Sequence, residues 1–370
     1  MIRQPSSTDV FVVGGGPAGL AAAIAARRRG FNAVVADCAL PPIDKACGEG
    51  IMPDGLAAAR SLGIELDTVE SYRFQGIRFR DGELGAESCF PSGHGAGMRR
   101  TVLHRMMIER AAESGVHMAW GASVGVMNSA GVELDGRFVR ARWIVGADGG
   151  NSQVRRWAGL DACVRNSRRY GFRSHYTVEP WSEFMEIHWG RGFQLYITPV
   201  SAREICLVVI SRDRRLRLED ALPCFPEIQR RLASAASSLE RGGVSASRRL
   251  RHVVRGNVAL VGDASGSVDA ITGEGLCLLF QQAVALGDAL QADDLGLYEA
   301  AHRRMGRRPE WMADLMLLMD NRHRLRRRVM QAFTAEPRLF ARMLAMHVGE
   351  LSTLEFLRNG AALGWQMLTV

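Results

Sequence analysis

Hydrophobic and polar positions at the front of the chain predict a strand, a turn, a helix and a second strand over residues 9–37. Residues 9–13 form a short apolar run, and residues 14–19 form a glycine-rich turn. Residues 20–30 combine good helix formers with arginines in the last turn, where positive charge suits the helix dipole. A second apolar run ends at Asp37. This order is typical of a β-α-β unit with parallel strands.

Helical periodicity predicts another helix over residues 101–114. The candidates for its buried face are Val102, Met106, Ile108 and Ala112. The dipeptide Asp135-Gly136 lies between two apolar runs and predicts a β-hairpin whose second strand ends at Gly146.

The pattern changes to strict alternation between about residues 165 and 212, most clearly in residues 184–189. Alternation indicates an antiparallel sheet with one covered face, and hence a second domain. A helical segment is expected around residues 219–240. Residues 257–266 return to the parallel-strand type, a long helix runs from Gly275 to about Ala292, and the last seventy residues are helical and rich in arginine.

These elements predict an α/β fold, in which a Rossmann-like dinucleotide-binding domain is joined to an antiparallel substrate domain and C-terminal helices. The first domain is discontinuous and takes residues 1–75, 98–160 and 250–300. The substrate domain takes residues 76–97 and 161–249. Residues 301–370 form the helical segment.

Composition narrows the class of protein. The chain has 370 residues, of which 47% are hydrophobic, and its seven cysteines include no C-x-x-C pair. We therefore expect reduced thiols in a cytoplasmic protein, with no structural zinc and no other metal. The net charge of +8 comes from dispersed arginines without a nucleic-acid motif, which argues against DNA or RNA as a partner. Residues 10–26 are uncharged but contain four glycines and a proline, so they predict a strand and helix, not a membrane span.

The glycine-rich turn has the spacing G-x-G-x-x-G directly between a predicted strand and helix. Its first glycine allows a tight turn, its second lets the backbone approach a pyrophosphate, and its third allows close helix–strand packing. A carboxylate lies eighteen residues further on, at the next strand end, where it can hold ribose hydroxyls and disfavours a 2′-phosphate. The predicted cofactor-binding residues in this unit are Gly14, Gly16, Pro17, Ala18, Gly19 and Asp37.

Two later motifs decide which dinucleotide is expected. The segment 257–276 places an aspartate at a strand end and a glycine pair at a helix start, and residues 146–155 read GADGGNSQVR. Together with the first turn, these resemble the superfamily of flavoprotein monooxygenases (p-hydroxybenzoate hydroxylase-like) and geranylgeranyl reductases, which binds FAD. The resemblance implies that FAD is held by Arg100, or Arg99 in its place, and by Val124, Asp148, Asp263, Gly273, Gly275 and Leu276.

The chain contains a single lysine, Lys45, in the segment PPIDKACGEGIMP. The pattern P-x-x-K-x-C-G is similar to the geranylgeranyl reductase branch, except that Glu49 replaces the second glycine, and the continuation is also similar to flavin halogenases. The resemblance implies a loop that passes over the flavin with its cysteine near the substrate. Because arginine occupies every other lysine-or-arginine position, we predict a specific role for the compact ammonium of Lys45, directed at the pyrophosphate, the flavin or a carbonyl. The alternative is a surface lysine without a specific role.

Three residues are candidates for chemistry: Lys45, Cys47 and His94. Cys47 is either a thiol with thiolate character beside a lysine or a small packing residue. His94 is either a proton donor near the ring or an exposed loop histidine. Further residues that either face the substrate or belong to the protein's packing and surface are Glu49, Asp54, Arg173, His175, His188, Trp189 and Tyr196.

The leading prediction is an FAD monooxygenase that hydroxylates or epoxidises an apolar or aromatic secondary metabolite with NAD(P)H and O2, chemistry that needs few protein acids or bases. The alternative is a geranylgeranyl reductase-like double-bond reductase or dehydrogenase. A halogenase is disfavoured because the W-x-W-x-I-P motif is absent. A non-enzymatic scaffold that FAD stabilises has little support in the sequence. The C-terminal arginines predict either weak contact with a membrane surface or acidic carrier protein, or a solvated helix face.

Overall fold

A computed structural model of the chain describes residues 5–350. The first part of the chain forms β1 (Ser7–Val13), α1 (Pro17–Arg28), β2 (Ala33–Asp37), β3 (Gly50–Ile51), α2 (Pro53–Ser61), β4 (Tyr72–Phe74), β5 (Gly76–Asp81), β6 (Leu84–Cys89), β7 (Gly95–Gly97), α3 (Arg100–Glu113), β8 (His117–Trp120), β9 (Val124–Asn128), β10 (Gly131–Leu134), β11 (Arg137–Gly146) and α4 (Gln153–Trp157).

The second part forms β12 (Cys163–Tyr176), β13 (Phe184–Trp189), β14 (Phe193–Ser201), β15 (Glu204–Ser211), α5 (Leu218–Ala221), α6 (Pro226–Leu232), β16 (Arg241–Leu250), β17 (Val254–Arg255), β18 (Val258–Leu260), α7 (Gly275–Gln291), α8 (Leu295–Asn321), α9 (His323–Ala335) and α10 (Pro337–His347). Short 3₁₀ turns occupy Leu222–Cys224, Gly262–Ser265 and Ala270–Thr272.

An eight-stranded sheet carries the predicted β-α-β unit. Its order is β17-β18-β11-β1-β2-β8, with β10 and β9 attached beside β11. Strands β18, β11, β1, β2 and β8 run parallel, and β1 is flanked on both sides, which explains its nearly continuous apolar sequence. Helices α1 and α7 pack together. The predicted hairpin at Asp135-Gly136 is also confirmed, with both residues in the left-handed region that its tight turn requires.

A seven-stranded sheet has the order β16-β12-β15-β14-β13-β5-β6. It is antiparallel except where β5 runs parallel to β13. The expectation of one covered face is wrong for the central strands, because β14 is buried along nearly its whole length. Residues such as Leu195 and Leu207 form a second apolar cluster with α5 and α6 on the outer face. The helix predicted around 219–240 is divided into α5 and α6, because prolines at 223 and 226 interrupt it, and α6 ends at Leu232.

The buried face of α3 differs from the prediction. Val102, Met106 and Ile108 are only half-buried and Ala112 is exposed. The buried residues are instead Leu103, His104, Met107 and Ala111. The helix is rotated because His104, a polar residue, points inward to bond the glycine-rich turn.

The C-terminal helices pack on both sheets. Helix α7 matches its predicted bounds closely. Helices α9 and α10 lie against β6, where the buried Arg326 bonds Asp81 at 2.9 Å. No helix within residues 5–350 is both long and apolar enough to cross a lipid bilayer.

Candidate flavin site

The glycine-rich turn joins β1 to α1 and leaves an open cradle at the helix N-terminus. A β-carbon at Gly14 would overlap the Ala147 carbonyl, and one at Gly19 would overlap the Gly14 carbonyl, so packing demands these two glycines. At Gly16, the residue before α1, a β-carbon would meet no described atom within 4 Å. Pro17 and Ala18 begin the helix, whose first N–H groups face this space. The turn therefore suits a pyrophosphate.

Asp37 and His104 fix the shape of this turn. Asp37 accepts the Gly15 N–H at 2.6 Å and the Ala39 N–H at 2.8 Å. The ring of His104 lies 2.8 Å from the Gly15 carbonyl through Nε2, and its Nδ1 accepts the Ile43 N–H at 3.1 Å. These partners require a neutral ring protonated on Nε2. Burial lowers the pKa of His104, in agreement with that form.

Asp148 lies beside the cradle, because a β-carbon at Gly14 would lie 2.9 Å from its backbone nitrogen. One oxygen of Asp148 accepts the N–H groups of Gln153 and Val154 at the start of α4. Its other oxygen is buried and has no hydrogen-bond partner within residues 5–350, which leaves an acceptor for a cofactor hydroxyl. Val124 is half-buried on β9 and packs against the apolar core.

Lys45 and Asp263 meet across 218 residues of sequence. The Lys45 ammonium lies 2.7 Å from an Asp263 oxygen, and both side chains are about half-exposed. Partial loss of hydration would raise the pKa of Asp263, but Lys45 and, to a lesser degree, Arg100 lower it below its ordinary value. The compact ammonium of Lys45 thus bonds the aspartate that the family resemblance assigns to the ribityl chain.

The neighbouring arginines of α3 have different environments. Arg99 forms a double hydrogen bond with Glu204 on β15, at 2.6 and 2.5 Å. Arg100 donates its backbone N–H to Glu49 at 3.0 Å, and its Nε is buried with no partner among the described residues. Because its charge also acts on Asp263 and Cys47, Arg100 suits a cofactor contact better than Arg99.

The loop that carries Cys47 is held by Glu49. Glu49 is buried and its φ of +60° lies in the left-handed region, where the related pattern has glycine. Its backbone N–H points to the Cys47 sulfur at 3.4 Å. Burial raises the pKa of Cys47; Arg100 opposes this and the Glu49 charge adds to it. The thiol therefore keeps its proton, which does not support thiolate character.

The turn that leads into α7 completes the site. Gly273 has a φ of +70°, and a β-carbon there would approach the methyl carbons of Met185 and Met52 at 3.5 and 3.7 Å. A β-carbon at Gly48 or Gly275 would meet no described atom within 4 Å. Leu276 is buried in the first turn of α7. Open space at both helix starts and at the loop, with spare polar atoms on Asp148 and Arg100, fits an extended FAD.

The remaining candidates fall into two groups. His175 bonds Glu49 at 2.6 Å and so joins the site, and Tyr196 donates its hydroxyl to the Ile271 carbonyl at 2.7 Å, beside the turn into α7. The others have partners elsewhere. His94 bonds Asp67, Asp54 bonds Gln281 and Arg308, His188 bonds Glu186, and Trp189 packs on Phe79.

Sequence reasoning missed two residues of this site. These residues are His104 on α3 and Cys206 on β15, and neither belongs to one of the motifs described above. The Cys206 sulfur, a Glu49 carboxylate oxygen and a His175 ring nitrogen lie within 4.8 Å of one another. These three atoms are a possible set of metal ligands. The Arg173 guanidinium bonds the same histidine at 2.9 Å, and its charge disfavours a cation there.

The fold and the site define a flavoprotein that carries out redox chemistry. The model of the family described as FAD binding domain matches residues 7–296. The chain therefore belongs to this FAD-binding family and is an FAD-dependent oxidoreductase, which confirms the predicted superfamily and the prediction of FAD.

Relatives include both reductases and hydroxylases. The chain is 29% identical over 325 residues to a menaquinone reductase of Mycobacterium tuberculosis, covering 78% of each protein. It is 30% identical over 174 residues to a 3-(3-hydroxy-phenyl)propionate/3-hydroxycinnamic acid hydroxylase of Mycobacterium sp., covering 43% of this chain and 30% of the hydroxylase. A flavoprotein/dehydrogenase from Cytophaga hutchinsonii has the same fold, with a TM-score of 0.83 at 16% identity over 98% of this chain and 99% of that one.

Proposed function

We propose that the protein reduces an isolated carbon–carbon double bond in a long apolar chain, such as the isoprenoid tail of a quinone. The observation that carries this proposal is the position of the Cys47 thiol, on the loop between the Lys45–Asp263 pair and Arg100, where burial raises its pKa. Reduction of an alkene needs a proton for one carbon in addition to an electron pair for the other. Oxygen transfer, in contrast, does not require a proton on a substrate carbon.

When bound, FAD supplies the electron pair, and NADH or NADPH is the proposed source of electrons. The chain's own residues bind and orient the cofactor and hold the proton on the Cys47 sulfur. The methionines beside Gly273 suit an irregular hydrocarbon, because their unbranched side chains adapt to its shape. Similarity to a menaquinone reductase over most of both chains supports a quinone as the substrate.

The test is an anaerobic assay of the purified, FAD-loaded protein. A quinone with a short isoprenoid tail is supplied with NADH, NADPH or chemically reduced flavin, and products are separated by mass. We expect a gain of two hydrogens without oxygen, and strong loss of turnover in Cys47→Ala with FAD still bound. A product formed only in air, and carrying one oxygen atom from ¹⁸O₂, would contradict the reductase proposal.

That second outcome defines the other candidate function. Monooxygenation was the leading expectation from sequence, and the hydroxylase relative supports it over a little under half of the chain. In that case the same apolar surroundings would exclude water from the reacting atoms, and Cys47→Ala would keep most of its activity.

A further inference from the structure

Helix α8 borders an open cavity of about 280 Å³ close to the turn that leads into α7. Four polar residues contribute to its wall: Asp54, Gln281, Arg304 and Arg308. Met52, two residues before Asp54, lies beside Gly273. Gln281 is six residues after Gly275 on α7, which is about 9 Å along the helix. A molecule held in the cavity can therefore also reach the proposed flavin site.

The carboxylate in this wall already has its partners. One oxygen of Asp54 accepts N–H groups of Gln281 at 2.9 Å and of Arg308 at 3.2 Å. The other accepts the backbone N–H of Gly55 at 3.0 Å. Glu274, a second acidic group whose charge interacts with that of Arg308, is buried, and burial raises its pKa to about 8. Glu274 therefore adds little negative charge to this region at neutral pH.

The two arginines of the wall keep donors to spare. Arg304 and Arg308 are one turn apart on α8 and so lie on the same side of the helix. Arg304 is exposed and forms no hydrogen bond or ion pair within residues 5–350. The Nε of Arg308 is buried and has no acceptor in the described part of the chain. Two guanidinium groups beside one carboxylate leave a net positive charge, which repels a cation and attracts an anion.

The donors favour a phosphate group over a carboxylate. Guanidinium groups bind phosphate oxygens through paired N–H donors. Two of them match a phosphate monoester, which has three terminal oxygens and nearly two negative charges at pH 7. A carboxylate has two oxygens and one charge, which a single guanidinium satisfies. Met305 adds an apolar surface to the wall, against which a sugar or a base can pack.

We propose that this cavity binds a phosphate monoester, and that the group it takes is the 2′-phosphate of NADPH. Phosphate binding is independent of the proposed function, whereas the assignment to the electron donor rests on it. The glycine-rich turn suits FAD, and Asp37 disfavours a 2′-phosphate there, so NADPH needs a separate site. A dinucleotide anchored in the cavity is long enough to extend to the turn at Gly273.

Calorimetric titration of the FAD-loaded protein with adenosine 2′-monophosphate tests the site, with adenosine as the uncharged comparison. We expect Arg304→Met to bind the phosphate at least about tenfold more weakly than wild type, because charge-assisted hydrogen bonds are lost. Arg304→Lys keeps the charge without the planar fork and should fall between them. Arg307→Met, which changes an exposed arginine of α8 outside the cavity wall, is the matched control and should bind like wild type.

Asp54→Asn tests the sign of the ligand's charge. Removing this carboxylate should strengthen phosphate binding severalfold, because a repulsive charge disappears from the wall. Since Arg304 has no partner to lose among the described residues, Arg304→Met should keep the wild-type midpoint of urea unfolding. Equal phosphate affinity in wild type and Arg304→Met, or weaker binding in Asp54→Asn, would overturn the site.

Anaerobic reduction of bound FAD, followed by the loss of flavin absorbance without any alkene, tests the electron donor. Arg304→Met should raise the half-saturating concentration of NADPH about tenfold and leave that of NADH unchanged. An equal change for both nucleotides, or none for either, would overturn the assignment to the 2′-phosphate. Inorganic phosphate that still binds in that case would identify free phosphate as the ligand. Because no isoprenoid is present, failure to reduce an alkene would refute the proposed function without affecting these results.

Discussion

Two alanine substitutions in the same glycine-rich turn should have opposite consequences. At Gly19 a β-carbon would lie 1.8 Å from the Gly14 carbonyl oxygen, whereas β-carbons do not come closer than 3.0 Å to other atoms. Helix α1 would have to move away from β1 by at least about 1 Å. Overpacking of this kind costs about 1–3 kcal/mol, and more where backbone must move. We therefore expect Gly19→Ala to destabilise the fold by at least that amount.

At Gly16 the same added methyl group has room in the protein. The backbone there has φ −69° and ψ 174°, which alanine adopts without strain. Alanine is a poorer helix cap than glycine, so Gly16→Ala should cost no more than about 1 kcal/mol of stability. The methyl group fills the space proposed for the pyrophosphate, and we expect FAD affinity to fall at least tenfold.

Urea unfolding of the FAD-free proteins measures the first effect, and quenching of FAD fluorescence measures the second. Adding saturating FAD should raise the unfolding midpoint of wild type much more than that of Gly16→Ala. If Gly16→Ala binds FAD as tightly as wild type, the phosphates do not lie at the start of α1, and the cofactor placement is refuted.

Three other predictions concern single features of the fold. Asp263→Asn, which breaks the pair with Lys45, should weaken FAD binding. Because the pKa of Asp263 is lowered in the folded protein, the ion pair contributes its full stability above pH 3.8, and this contribution is lost as the pH falls further. His104→Phe leaves a buried carbonyl unpaired and should cost about 1–3 kcal/mol; because the folded pKa of His104 is also lowered, wild-type stability should fall as the pH drops below 6.5. If the exposed arginines of α9 contact a membrane surface, the wild-type protein should bind anionic vesicles at low salt, and replacing Arg324, Arg327 and Arg328 with glutamate should abolish that binding.

Each of these has its own check. Lys45→Met should resemble Asp263→Asn in FAD titrations, and a normal affinity in both would show that the ion pair is incidental. The pH dependence attributed to His104 should disappear from urea unfolding curves of His104→Phe; if it persists, another group causes it. Vesicle sedimentation that is equal for wild type and the arginine variant would leave those arginines as a solvated surface.

Local features of the chain were predictable because their causes are local. The spacing of the first glycines, the β-α-β unit, the Asp135-Gly136 hairpin and the bounds of α7 follow from backbone preferences and from the period of apolar residues over a few turns. The family resemblance then predicted FAD, which the family match confirmed. These requirements apply within short stretches of chain, so the sequence alone expresses them.

The tertiary structure decided everything that depends on residues far apart. The face of α3 is set by a bond between His104 and Gly15, 89 positions apart, and β14 is covered on both faces because α5 and α6 fold back over it. Glu49 meets His175 across 126 positions, and Lys45 meets Asp263 across 218. A polar residue becomes an interior residue only when folding brings it a partner. For that reason, the sequence indicated a flavoprotein, while the folded chain determined which polar side chains surround Cys47.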